Sequence, residues 1–260
     1  MKKIGIFSLL WSGIKLNFLH AAWNFERLQN VGFLYAIYNL LRRIYDKNKY
    51  GLIGAINRHI SFFNTHIFFA SAAVGVIAKL ESDIKEDDEK KNAEIESTKM
   101  GIMGPLAAIG DSLFWSGLKP LALLLGAGII FLTGFSMKSL TGGVIVSLAV
   151  YNIPRLIIKY YLLFKAYYNH GDLFTQIQKI KFQEIMKSVK LIGMCMLGGI
   201  MGGFFNVKQD FILQNKFIDT VLLVVIFLLI TEALRRKTVI NHVFFAVIAF
   251  SIILAYVRIL

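Results

Sequence analysis

Apolar and polar positions alternate along this chain in a way that changes character three times. Residues 4–40 are rich in aromatic and aliphatic side chains but are broken regularly by polar ones. That pattern predicts amphipathic helices lying in an interface or against a partner, rather than clean membrane spans. Arg42, Arg43, Lys47 and Lys49 follow as a basic stretch, and residues 51–80 are again apolar around the polar block RHISFFNTH. Residues 81–99, ESDIKEDDEKKNAEIESTK, hold eight of the sixteen acidic residues against four lysines. Such a block reads as a solvated helix or loop and is excluded from hydrocarbon.

Beyond it the pattern becomes strongly apolar. Gly101 to Pro120 (GIMGPLAAIGDSLFWSGLKP) is too short and broken for an ordinary span, which needs about 20 apolar residues. Its glycines, Pro105 and Asp111 predict a re-entrant or broken helix, whose irregular backbone survives at membrane depth only where protein or a wet cavity satisfies it. Spans are predicted at Leu121–Met137, Gly142–Ile158, Leu191–Phe205, Phe217–Leu234 and Val239–Leu260. Asn152 and Pro154 mark a kink or the end of the second of these. The run LGGIMGG pairs Gly198 with Gly202 and Gly199 with Gly203, a pattern for close helix packing. By the basic-loop rule, Arg235, Arg236 and Lys237 face the cytoplasm.

The fold class that follows is an all-α integral membrane protein, with amphipathic and re-entrant or broken helices plus several transmembrane helices. Its expected organisation is an N-terminal embedded portion over 1–80, a charged soluble linker over 81–99 and a membrane-embedded helical region over 100–260.

Composition sharpens this picture. Of 260 residues, 56% are hydrophobic and only 17% charged, and the mean hydropathy is +0.61. An ordinary soluble domain is roughly 45–50% apolar and about 25% charged. The net charge is +13; with the 81–99 block at −4, the remainder carries +17. On so apolar a chain a basic excess fits cytoplasmic loops and anionic headgroups, and argues against nucleic acid. The single cysteine, Cys195, lies in an apolar run without metal-ligand neighbours and reads as a packing residue. Lys15 and His20 interrupt the N-terminal apolar run, which therefore reads as a retained amphipathic segment rather than a cleavable signal.

Signatures of hydrolases, nucleotide sites and paired-cysteine metal sites are missing from the sequence, so no catalytic residue, metal or cofactor is expected. Asp46 and Asp111, in YD and GD dipeptides, bring membrane aspartyl proteases to mind, but Asp46 lies in a basic polar stretch and Ala108 stands where that motif wants glycine.

Polar groups in apolar surroundings are the candidate chemistry, because their cost in a membrane needs a reason. In WNFERLQN, Glu26 shares a helical face with Gln29 and Asn30 if the segment is helical. A carboxylate and amides suit sugar hydroxyls, which donate and accept; an ordinary surface helix fits equally. Asn64, Thr65 and His66 break an aromatic run and suit a hydroxylated ligand, or a helix cap. Asp111, Trp115 and Lys119 offer a ring for stacking and a carboxylate for hydroxyls. Alternatively Asp111 and Lys119 neutralise each other, or Asp111 caps the helix that follows it.

Taken together, NFERLQNVGFLYAI at 24–37, FFNTH at 62–66 and GIMGPLAAIGDSLFWSGLKP at 101–120 resemble three hallmark blocks of the membrane component IID of the mannose/fructose/sorbose family of sugar phosphotransferase systems, in that family's order and spacing. YNIPRL at 151–156 and HGD at 170–172 are also similar, and the resemblance covers roughly residues 20–205. It implies a multi-pass protein of the bacterial cytoplasmic membrane that pairs intimately with a IIC component and is itself not phosphorylated. It implies soluble IIA and IIB phosphocarriers, a hexose or amino-hexose substrate phosphorylated as it enters, surrounding lipid, and a homo-oligomer of IIC/IID pairs. Under it, Glu26, Gln29, Asn30, Asn64 and His66 are the first candidates for sugar contact, with Asp111, Trp115 and Lys119 behind them. This sequence departs from the family at Ile67, where proline is usual, at Lys119, where arginine is common, and at Ala108, where glycine is common. The competing expectation is a scaffold subunit that touches no sugar.

Overall fold

The computed structural model describes residues 4–84, 89–169, 182–207, 216–236 and 239–256. Among the described residues the chain is helical and has no β-strand; the extended pairing is limited to isolated bridges at Asn24–Leu28 and Leu28–Phe63. It divides into two compact units, Met1–Met194 and Cys195–Leu260.

The first unit begins with α1 (Ile6–Lys15), extended by a 3-10 turn at Leu16–Phe18, then α2 (Asn30–Ile44), α3 (Lys49–His59) and α4 (Ala70–Asp83). Helix α1 is amphipathic in an inverted sense. Ser8, Leu9, Ser12 and Gly13 face inward, while Phe7, Trp11, Ile14 and Phe18 are exposed. A helix that turns its aromatics outward is built for lipid or a partner, as the sequence pattern predicts. Ser12 donates to the Ala36 carbonyl and fixes α1 on α2. Asn48 caps α3, its side chain accepting from Gly51 N at 2.9 Å.

The charged block does not form one loop throughout. Its second half opens α5 (Glu89–Gly110), which runs without a break through π-helical turns at Asp111–Leu118 into α6 (Lys119–Thr133). Residues 89–133 thus form one helix of 45 residues, about 68 Å long at 1.5 Å per residue. That is about twice the roughly 30 Å hydrocarbon thickness, so the helix is longer than one crossing needs. The irregularity predicted over 101–120 is real, but the chain does not turn back: Pro105 lies within the helix, and the break takes the form of a π register shift. Helix α7 (Met137–Tyr168) is the second long apolar helix and continues for ten residues beyond the predicted end at Ile158, through Pro154.

α4 packs along α7, α7 against α6, and α4 also against α2 and α5. The α6–α7 hairpin is close enough that backbones touch. A Cβ on Gly126 would come within 2.7 Å of the Gly143 carbonyl oxygen, and one on Gly143 within 2.6 Å of that of Gly126. The core is apolar and aromatic, built on Leu9, Phe33, Leu40, Phe63, Val74, Ile77 and Leu163.

Helix α8 (Phe182–Val207) carries the chain into the second unit, which holds α9 (Lys216–Arg235) and α10 (Ile240–Tyr256) packed on each other. Their described surfaces are apolar and exposed, with Val224, Phe227, Leu228 and Phe245 outward, as a lipid or partner environment requires. No described residue approaches within 4 Å of where a Cβ on Gly198, Gly199 or Gly202 would stand, so the glycine face predicted for helix packing is unfilled within the described chain. Cys195 is exposed rather than packed. The HGD residues and Lys237 lie outside the described residues.

Candidate functional site

The polar blocks of the sequence converge around one short crossing, residues 60–69, which links α3 to α4. Its conformation is dictated from three sides. The first is the segment before α2. Residues 24–29 are not helical: Leu28 sits at φ +54, and Asn24 bridges the turn by accepting from Arg27 N at 2.8 Å. Glu26 and Asn30 therefore do not share a helical face. Glu26 projects outward and pairs with its neighbour Arg27 at 3.3 Å.

Gln29 and Asn30 turn inward and are buried. The Gln29 side chain behaves like a strand partner: its Nε2 donates to the Thr65 carbonyl at 2.9 Å and its Oε1 accepts from Thr65 N at 3.0 Å. The same Nε2 lies 3.0 Å from Nε2 of His20. Asn30 donates to the Ile60 carbonyl at 2.7 Å and accepts from Asn24 at 2.8 Å. Both amides are thus used on the chain itself, holding the crossing at its start and near its middle.

The second side is α5. Asn64 N approaches Met103 Sδ at 3.2 Å, and Thr65 Oγ1 donates to the Met103 carbonyl at 3.0 Å. Asn64 is exposed, and its side-chain amide makes no hydrogen bond among the described residues.

His66 faces the third side. It is buried, stacked on Phe114 at 5.2 Å, with Phe68, Phe69 and Trp115 edge-on around it. Gly110 makes room for it, since a Cβ there would fall 2.4 Å from the imidazole. Nδ1 accepts from Phe68 N at 3.4 Å, which assigns the proton to Nε2, and Nε2 has no partner among the described residues. A buried unpaired donor is costly and calls for an explanation. Trp115 is half-exposed beside His66 and carries Lys119 over its ring at 4.6 Å. Asp111 is exposed inside the continuous helix. It has no free helix N-terminus to cap, and the described ion pairs do not join it to Lys119.

Sequence reasoning missed two groups. Tyr151 and Arg155 of α7 complete the aromatic surround: Tyr151 meets Phe68 and Phe114, and the Arg155 guanidinium lies 5.1 Å over Phe68 with Nε buried and without a partner among the described residues. The YNIPRL block was the signal for them. The other group is a charge cluster beneath the crossing. Arg58 grips Glu81 through Nε at 3.2 Å and Nη2 at 3.0 and 3.1 Å, while His59 Nε2 lies 2.7 Å from the same carboxylate and Tyr45 donates to it. Lys99 from α5 reaches Ser61 Oγ at 2.9 Å and the His59 carbonyl at 3.3 Å. Burial pushes the Glu81 carboxyl up, but the hydrogen bond from His59, with Tyr45 and Arg58, brings it below its ordinary value. Burial pushes the His59 imidazole below its ordinary value against the raising effect of Glu81; its Nε2 meets Glu81, and its Nδ1 has no partner among the described residues. Neither Arg58 nor Glu81 stands out in sequence, because they are 23 residues apart and Glu81 belongs to the acidic run.

The described residues hold no cluster of three or more metal-ligating side chains. What the arrangement presents is a hydrogen-bonded crossing with an outward amide, a half-exposed indole and a lysine, groups whose chemistry suits hydroxyls and ring faces.

Comparison with known proteins gives this geometry a context. Residues 6–260 match the family described as the PTS system mannose/fructose/sorbose family IID component. The mannose-specific EIID component of Escherichia coli strain K12 is 30% identical over 202 residues, covering 78% of this chain and 69% of the relative. The fructose permease IID component of Bacillus subtilis strain 168 is 27% identical, covering 83% and 74%. Among solved structures, one described as a membrane protein aligns with TM-score 0.64 at 30% identity, over 76% of this chain and 71% of that one. The mannose transporter ManYZ, solved in complex with microcin E492, aligns with TM-score 0.58 at 26% identity over 96% of this chain and 97% of the other.

Proposed function

Because the chain belongs to the mannose/fructose/sorbose family of phosphotransferase IID components, we propose that it joins a IIC component in the bacterial cytoplasmic membrane to form the sugar-translocating part of a phosphotransferase permease. The substrate class is a hexose or amino-hexose. Soluble IIA and IIB carriers deliver the phosphoryl group, and IIC/IID pairs assemble into a homo-oligomer. The observation that carries the sugar role is the held crossing: Gln29 and Asn30 spend their amides on Thr65 and Ile60, which presents Asn64 outward.

In this reading the candidates divide. Asn64, Glu26 and Trp115 contact sugar or line its path, with Asp111 and Lys119 at the edge. Gln29 and Asn30 are positioning residues. The unpaired Nε2 of His66 and Nε of Arg155 are donors available to a sugar hydroxyl, or to the neighbouring subunit, when the aromatic surround moves. Movement of one embedded portion against another supplies alternating access, as in transporters whose sites lie beside broken helices. Asn64→Ala is expected to abolish uptake while the assembly purifies intact; uptake at a near-normal rate would remove Asn64 from the path.

A scaffold role without sugar contact is favoured by one observation, the internal satisfaction of Gln29 and Asn30. It differs in its expected result: substitution of the polar blocks would then reduce assembly rather than sugar affinity.

A further inference from the structure

The π turns at Asp111–Leu118 have a consequence on the side away from His66. Gly117 lies flush against α8: a Cβ there would come within 2.6 Å of Met186 Cε. Beside this tight contact lies a half-open cavity of about 530 Å³. One wall carries Ser112 and Ser116, and the other carries Lys187 and Lys190. Ile109, Leu113 and Met186 continue the walls as apolar surface. No carboxylate lines the cavity, and neither lysine has an ion-pair partner among the described residues.

Lys187 and Lys190 are three apart on α8 and share a face. Lys187 and Lys190 are exposed and stand just before the apolar run that begins at Leu191, where two neighbouring ammonium groups beside apolar walls repel each other unless an anion lies between them. The serine hydroxyls opposite add donors suited to phosphate oxygens, for which lysine serves as a point-charge binder. The apolar continuation distinguishes the occupant. A soluble phosphate would leave it uncovered, whereas a phospholipid fills both parts, headgroup on the lysines and acyl chain along Ile109 and Leu113. Basic pockets between membrane helices bind anionic headgroups on this principle.

We propose that the cavity between the π turns and α8 is a binding site for the phosphate headgroup of an anionic phospholipid, held by Lys187 and Lys190 with Ser112 and Ser116. The lipid then wedges against the register shift that places Trp115 and Phe114 at the crossing, so occupancy stiffens the site side of the same turns.

The test is native mass spectrometry of the intact membrane assembly, purified from nanodiscs of equimolar phosphatidylglycerol and phosphatidylcholine with matched acyl chains. Wild type is expected to retain phosphatidylglycerol preferentially. Lys187→Gln with Lys190→Gln should lower that retention about 25-fold, at about fivefold for each lysine near an anionic headgroup. Lys187→Arg with Lys190→Arg should keep it, and Lys47→Gln with Lys49→Gln should leave it unchanged. Equal retention of the two lipids, or retention unaffected in the Lys187/Lys190 glutamine variant, would overturn the site. Displacement of the lipid by millimolar inorganic phosphate would overturn lipid as the source. Binding is read on the chain itself, so the outcome does not depend on whether the assembly transports sugar.

Discussion

Glu81 satisfies Arg58, His59 and Tyr45 at once, and it does so with no exposed surface. A buried charge is tolerable only when paired and hydrogen-bonded, and removing one partner strands the other. Glu81→Gln is therefore expected to destabilise the first unit by about 3–5 kcal/mol, read as a lowered thermal midpoint in detergent. The sign of the pH effect follows from the depressed carboxyl. Its contribution is complete above the ordinary value of 4.5 and is lost as pH falls from there through the folded-state value. The gap in thermal midpoint between wild type and Glu81→Gln should accordingly narrow on acidification; a gap that widens would show that the carboxylate is not the stabilising form. Gln29 and Asn64 make a contrasting pair of amides. Gln29→Ala leaves Thr65 N and its carbonyl without partners, so about 1–3 kcal/mol for each group left buried and unpaired is expected to be lost. Asn64→Ala removes an exposed side chain and should leave the midpoint unchanged while transport falls. These roles were not legible in sequence. Both are amides in polar blocks, and only the left-handed turn at Leu28 sends Gln29 inward and Glu26 out.

At the scale of elements, the sequence pattern located most helices because a membrane makes apolar runs long and uniform. It misjudged continuity. Glycine and proline over 101–120 read as a re-entrant or broken helix; the irregularity takes the form of π turns, whose alternative hydrogen bonding lets the helix run on. Pro154 was likewise absorbed inside α7. The π turns matter because Gly110, just before them, and Gly117, within them, each admit a side chain from elsewhere: His66 at the first and Met186 at the second. Gly110→Val places methyl groups inside the His66 ring position. The crossing must then shift, and we expect strong loss of transport with helix content retained by circular dichroism. Unchanged transport in that variant would show that the His66–Phe114 stack is not needed.

At the scale of the whole molecule, class and family were legible from composition and from three ordered blocks, because those carry the demands of lipid and of the crossing. The charge network was not, since its members are scattered through α3, α4 and α5 and meet only after packing. The first unit's exposed aromatics on α1 and the second unit's apolar helices leave surfaces that water would not tolerate. They fit a subunit whose fold is completed by lipid and by a neighbouring chain. The central claim is that this chain presents part of a sugar path within such an assembly. Its most direct test is uptake of labelled hexoses and amino-hexoses in cells lacking their own mannose-type transporter, expressing the IIC, IIA and IIB partners with wild type, with Asn64→Ala, or without this chain. The expected result is accumulation of one sugar as its phosphate with wild type, and none in the other two, while the Asn64→Ala assembly remains intact in the membrane. Equal accumulation with Asn64→Ala and wild type, or accumulation without the chain, would contradict it.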